Sequence, residues 1–344
     1  MLPGKDGMQP SLNVTYNSQT GNGLLGYGWN LTGISAITRC DRTIYHDNNP
    51  IIGNSYTVGD GVNFVDDRFM LDGQRLLSVS SNIPYGQTNC LYRTEVDNIS
   101  KIISLGGDGQ NPEKFKVWTK DGLIMEYGYT ANSQLIYRND TVAMWMVNRI
   151  SDYNGNYMTY TYDNTNNHCR IDYIDYTGCG NVQPIYRVKF NYINRNDIEY
   201  HYLYNQKIVS DVLLESISVK YNSAEVYKYT FTYDDINPTN GRFYSRLMSI
   251  GLEQNNEKLN PTTIEWGDLE SYCDSTNYAY SSFKDICYVG DYNGDGIDDV
   301  VTFPYISQND DYWTCLYGNC DGTFFSINTS LHYNKIDGRN IIMD

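Results

Sequence analysis

The densest chemistry in this chain lies in Gly290-Asp291-Tyr292-Asn293-Gly294-Asp295-Gly296-Ile297-Asp298-Asp299, which runs into Val300-Val301-Thr302-Phe303. Oxygen donors at alternate positions, with glycines that let the backbone bend, are what a hard cation such as calcium requires. In that reading Asp291, Asn293 and Asp295 contribute side chains, Ile297 its backbone carbonyl, and Asp299 a further carboxylate. Asp291, Asp295, Asp298 and Asp299 would repel one another without a cation. The loop is not an EF-hand: Thr302 stands where the bidentate glutamate should be, and the flanks are strand-like rather than helical. A metal-free turn held by Asx hydrogen bonds is the alternative reading of the same residues.

The other candidates for chemistry are weaker. Gly21-Asn22-Gly23-Leu24-Leu25-Gly26 satisfies the GxGxxG pattern of a dinucleotide-binding turn, but that pattern works only where its last glycine opens a helix. Here Tyr27-Gly28-Trp29-Asn30-Leu31-Thr32-Gly33 follows, with no 3.6-residue apolar stripe, so the glycines are expected to turn two strands sharply. The histidines, His46, His168, His201 and His332, are scattered and accompany no nucleophile motif. No spacing among the 41 acids singles out a glycosidase pair. Eight cysteines (Cys40, Cys90, Cys169, Cys179, Cys273, Cys287, Cys315, Cys320) show neither C-x-x-C nor zinc spacing. They are expected to be buried free thiols, with Cys169–Cys179 and Cys315–Cys320 as the pairs to check for bridges. No enzyme activity is expected.

The elements that must carry these residues are strands. Thirty-four tyrosines suit strands, and 29 glycines with abundant Asn and Asp supply turns. Val226 to Tyr233 alternates strictly, placing Tyr227, Tyr229, Phe231 and Tyr233 on one face. Ile217-Val219-Tyr221 and Val188-Phe190-Tyr192 repeat the pattern. No helix of ten or more residues stands out, and under a tenth of residues 1–265 is expected in α-helix. The net charge of -16 gives no footprint for nucleic acid. No apolar run approaches the ~18 residues of a spanning helix, and Met1-Leu2-Pro3-Gly4-Lys5 lacks a signal peptide's apolar region.

Three blocks in order point to a family. They are Gly7-Met8-Gln9-Pro10-Ser11 with Tyr16-Asn17-Ser18, Gly21 to Leu24, Gly26, Gly28-Trp29 and Ile37-Thr38-Arg39; then Asp67 to Leu76; then Tyr92 to Glu95 with Phe115 to Leu123. Together they resemble the N-terminal domain of the SpvB family, which recurs in the B subunits of insecticidal Tc toxin complexes. The resemblance covers roughly residues 4–265. Ile150 to Asp163 resembles the tyrosine-aspartate repeats of RHS proteins, whose strands wind into a hollow shell around a toxin polypeptide; physically it is a hairpin around an Asn154-Gly155 turn of the preferred type I′. The acidic loop, with Trp313 to Phe324 as its second half, resembles an FG-GAP/VCBS repeat of β-propellers.

The resulting expectation is an all-β chain of meandering antiparallel sheets, shell-like or sandwich-like, followed by a partial propeller blade. Residues 1–265 form the β-rich domain, 266–282 a linker, and 283–344 a truncated repeat. Because the family motif begins almost at Met1 and a propeller needs about four blades, the chain reads as a fragment. The resemblance implies a non-enzymatic structural or docking component of a secreted toxin or RHS-type complex, with other subunits of that complex and a protein cargo as partners. The ADP-ribosylating domain that SpvB carries C-terminally has no counterpart here. The alternative is a secreted, calcium-stabilised adhesion or glycan-binding module.

Overall fold

A computed structural model describes residues 1–47, 56–57, 61–62, 67–107, 111–137, 141–164, 168–203, 206–234, 244–254, 257–267, 287–290, 292, 298–302, 312–318 and 324–332. The chain divides into two compact units, Met1–Trp266 and Gly267–Asp344. It is all-β: among the described residues the α-helical content is the single turn Ile44–Asp47. No described helix is long and apolar enough to cross a membrane.

The first unit is built around a closed antiparallel barrel of eight strands. These are β1 (Ala36–Cys40), β2 (Arg68–Leu71), β3 (Gln74–Ser78), β4 (Leu91–Thr94), β5 (Lys101–Leu105), β6 (Lys114–Trp118), β7 (Ile124–Tyr127) and β8 (Thr141–Ser151). Alternation aims one side of each strand inward, so Ile37, Phe69, Leu76, Tyr92, Ile102, Phe115, Val117, Tyr127 and Trp145 are buried in one cluster. β8 closes the ring by pairing with β7 and, through Met144 to Met146, with β1. The family block Asp67 to Leu76 forms the β2–β3 hairpin. Its two-residue turn, Asp72-Gly73, has φ of 48° and 81°, the double left-handed geometry of a type I′ turn.

From β8 the chain continues as a meander of consecutive hairpins, β9 (Asn156–Asp163), β10 (Arg170–Cys179), β11 (Tyr186–Leu203), β12 (Gln206–Tyr221), β13 (Ala224–Asp234) and β14 (Arg246–Gln254). The predicted apolar rows hold except at one end: Val188, Phe190, Ile217, Val219 and Phe231 are buried and Tyr192, Tyr229 and Tyr233 pack against the core cluster, whereas Tyr221 is 45% exposed. The outer edge of β14 is covered by the short strands Glu257–Lys258 and Thr262–Thr263, which blunts an otherwise open template.

The β8–β9 hairpin corrects one expectation. Asn154 does not take positive φ; Gly155 does, at 83°, and its N–H donates to the Asp152 carbonyl at 3.3 Å. With Asp first and glycine fourth, the turn follows the type I pattern with a left-handed fourth residue, and Asp152 also accepts the Asn156 N–H at 2.9 Å.

In the second unit β15 (Cys287–Gly290), β16 (Asp299–Thr302), β17 (Tyr312–Gly318) and β18 (Phe324–His332) form a four-stranded antiparallel sheet in chain order. Of the expected linker, residues 268–282 lie outside the described residues.

Candidate functional site

The glycine-rich opening reaches its partners through a break in the β11–β12 ladder. Asn194 opposes Val212 and Glu199 opposes Ser210, so four residues, Arg195 to Ile198, face one. A bulge of this kind re-aims side chains, and it turns Arg195 and Asp197 inward, with side chains 0% and 3% exposed. Two ionic groups taken from water need full compensation, and they receive it. Asp197 accepts from Arg195 Nε (3.0 Å) and Nη2 (3.2 Å), Asn22 Nδ2 (2.7 Å), and both the backbone N–H and hydroxyl of Ser245 (2.7 Å each). Arg195 also donates to Asn22 Oδ1, to the Gly23 carbonyl at 3.4 Å and to Ser210 Oγ at 3.2 Å. Burial alone would raise the carboxyl's pKa; these hydrogen bonds, that from Arg195 foremost, outweigh it and hold it down at about 2.

This clasp explains the glycines. Asn22–Gly23 pairs with Gly26–Tyr27 as a miniature hairpin, with no helix after it. Gly26 has φ of 86°, and a Cβ there would stand 2.5 Å from the Ser245 carbonyl oxygen; Tyr27 N–H donates to that same oxygen at 2.9 Å, and Leu214 N–H to the Leu24 carbonyl at 3.0 Å. Tyr27 stacks on Tyr244 with centroids 5.4 Å apart. The glycines thus permit close backbone approach to β12 and β14, and no phosphate cradle forms. Asp197, saturated by five donors, has no free capacity for proton transfer.

A second ionic group stands in the barrel. Arg39 donates from Nε to the Val142 carbonyl (2.7 Å) and from Nη2 to Asn111 Oδ1 (3.0 Å), with Asp67 3.7 Å away. Its guanidinium lies over Phe69 and Trp145, 5.4 and 5.2 Å from their centroids. At the barrel's rim Asp47 bridges Arg68 (2.7 Å) and Arg75 (2.6 Å).

Of the expected calcium ligands, Asp291, Asn293, Asp295 and Ile297 lie outside the described residues. Asp299 opens β16 fully buried, and its carboxylate accepts the Tyr292 N–H at 2.8 Å and the Gly318 N–H at 2.9 Å. The residue therefore braces the turn ends of two hairpins. Among the described residues no three His, Cys, Asp or Glu side chains gather as a metal site.

The remaining candidates do not converge. His46 contacts Glu95 (3.0 Å), His201 lies beside Glu199 (3.5 Å), and His168 is buried before β10; the side chain of His332 lies outside the described residues. Cys40, Cys90, Cys169, Cys179 and Cys315 are free. Cys169 immediately precedes β10 and Cys179 ends it, about 33 Å apart at 3.3 Å per residue, which rules out a bridge. Cys320 lies outside the described residues. Cys90 and Cys315 are buried as expected, while Cys40, Cys169 and Cys179 are half-buried; desolvation still pushes the Cys169 thiol up to about 12 and Cys40 to about 11. The clasp escaped the sequence reading; its signal was the interruption of alternation by Asn194-Arg195-Asn196-Asp197 inside a strand-like run.

Comparison with known proteins agrees with this architecture. Among curated proteins no match was found. The chain is similar in fold to a stretch of the structure titled "Crystal Structure of TcdB2-TccC3-Cdc42", at 14% identity and a TM-score of 0.65, covering 94% of this chain and 18% of that one. The Photorhabdus luminescens Tc holotoxin pore matches alike, at 15% identity and 0.65, over 96% and 18%. The N-terminal domain of the effector SpvB from Salmonella typhimurium strain LT2 matches at 16% identity and 0.54, over 74% and 94%. The chain thus spans about a fifth of the large toxin chains. Residues 1–217 match the family described as SpvB, Salmonella virulence plasmid 65kDa B protein, and with well over half its length matched, the chain belongs to the SpvB family.

Proposed function

We propose that this chain is a non-enzymatic structural and docking part of a secreted toxin complex, resembling a Tc toxin B component, in which the β-rich unit forms wall and the second unit meets partner subunits. The observation that carries this reading is the fold likeness over 94% of the chain to a stretch of a toxin-complex chain several times longer. The interior supports it. The buried ions of the first unit, Arg195 with Asp197 and Arg39 among Val142, Asn111 and Asp67, are spent on holding segments together. The four-stranded sheet of the second unit has the strand number of one propeller blade, and with the acidic loop it suits an FG-GAP/VCBS-like repeat that calcium would order. Electron microscopy of the full-length gene product is the test. A hollow particle with this chain in its wall is expected, and a compact particle without a lumen would sink the reading.

A further inference from the structure

The hairpin β11–β12 folds back towards the barrel. Ile208 of β12 rests in a small apolar cluster with Leu135, from the strand Gln134–Tyr137, and with Ala143 and Met144 of β8; Cys169 fills the same cluster. Next to Cys169, His168 has a side chain only 8% exposed, and neither ring nitrogen has a hydrogen-bond partner. Buried polar atoms are nearly always satisfied, so an orphaned imidazole calls for an explanation. Three charged groups face it: Asp163 of β9, with Oδ2 3.8 Å from Nε2 and so beyond a hydrogen bond, Arg170 of β10, and Asp211 of β12. The Cys169 thiol is uncharged, and the barrel side presents Leu135, Ala143 and Met144.

We propose that His168 is an acid-released latch: its neutral ring lets the β11–β12 hairpin close onto the barrel, and its protonated ring forces that contact open. The geometry gives the reason. Both nearby carboxylates are already engaged by Arg170, which holds Asp163 at 3.3 Å and Asp211 at 3.1 Å. A new imidazolium would meet the Arg170 guanidinium beside it and an apolar cluster behind it, and its nearest carboxylate, Asp163 at 3.8 Å, is one it must share with Arg170. It gains hydration by parting that cluster, at the cost of the Ile208 contact. Burial first, and Arg170 second, hold the imidazole below its ordinary value near 6.5. The closed state therefore binds fewer protons than the open one. Closure is fully favoured above about pH 6.5 and weakens as the pH falls from there towards the lowered value.

The test is hydrogen–deuterium exchange on the chain at pH 7.5 and 5.5, each corrected for intrinsic exchange rate. In the wild type, peptides spanning 168–179 and 206–215 should exchange faster at pH 5.5, with the opening equilibrium rising by up to about tenfold per pH unit for one proton taken up. Peptides of β5 and β6 should not change. His168→Leu and the polar His168→Gln, each checked for native circular dichroism, should abolish the pH difference. Equal protection of the wild type at both pH values overturns the proposal whatever the variants do, and so does a pH response that persists in both variants.

Discussion

Removing the carboxylate from the clasp should be among the most damaging single changes in the first unit. Asp197→Ala leaves Arg195, with a side chain 0% exposed, without its counter-ion and strips partners from Asn22 and Ser245. Breaking a buried pair from one side costs about 3–5 kcal/mol. With a urea slope of about 3 kcal/mol/M, the midpoint should fall by about 1 to 1.7 M. Urea unfolding followed by tryptophan fluorescence reads this, because Trp29 and Trp266 both pack on Tyr16 beside the glycine turn. Limited proteolysis should cut within residues 17–28 at urea concentrations where the wild type resists. The paired change Arg195→Met with Asp197→Leu should recover much of the loss, since no charge is then buried alone. The wild type should show the same interaction in its acid limb. A carboxyl at about 2 rather than 3.8 contributes on the order of 2 kcal/mol, fully present above about pH 4 and lost as pH falls through about 2. A midpoint shift below about 0.3 M, on that slope, with unchanged proteolysis would show that the buried pair does not fasten the turn.

Gly26→Ala should lower the melting temperature, since it adds a Cβ 2.5 Å from the Ser245 carbonyl at a φ of 86°, with a loss above about 1 kcal/mol; calorimetry reads it. Trp145→Ala should cost about 3–5 kcal/mol, because the ring meets Phe115 and Phe69 edge-on at 4.9 and 5.5 Å; denaturant titration of the variant reads that. Calorimetric titration with millimolar calcium should show binding that Asp295→Ala abolishes, and an unchanged isotherm in the variant would remove the site. The purified chain should neither cleave NAD nor turn over glycans, and activity lost on a single-site substitution would overturn the non-enzymatic reading.

What was legible in the sequence was whatever depends on period and local chemistry. Alternation at Tyr227 to Tyr233 gave both the strand and its buried face, and the missing helix after Gly26 separated a turn from a nucleotide site. What was not legible depends on partners far along the chain. Nothing near Ala36 announces that it will pair across Met146 and close a barrel. The interrupted run at Arg195 carries no local signature of a clasp, because a bulge that swallows an ion pair is recognisable only once Asn22 and Ser245 are known to stand beside it. The Asn154-Gly155 turn shows the local limit: Asp152 competes for the turn by accepting the Asn156 N–H, and the turn then needs left-handed geometry at Gly155 but not at Asn154.

Both closures of the first unit draw on the same opening segment. Ala36–Cys40 completes the ring against β8, and Asn22–Tyr27 is clamped to β11, β12 and the residue before β14 by contacts reaching from Tyr27 to Ser245. Between them Trp29 and Tyr16 pack on each other and, through Tyr16, on Trp266 at the unit's far end. The opening motif is therefore the piece that turns a barrel and a trailing meander into one body. Loop closure over such separations is paid in chain entropy before the contacts form, so the motif should dock late, onto a largely assembled sheet. That order accounts for its composition. A late-docking segment has to fit surfaces already fixed, which favours glycines at Gly23, Gly26 and Gly28 and backbone hydrogen bonds over bulky side chains. A buried ion pair on the receiving side makes the fit selective, because any register that leaves Arg195 or Asp197 without these partners strands a charge in the core.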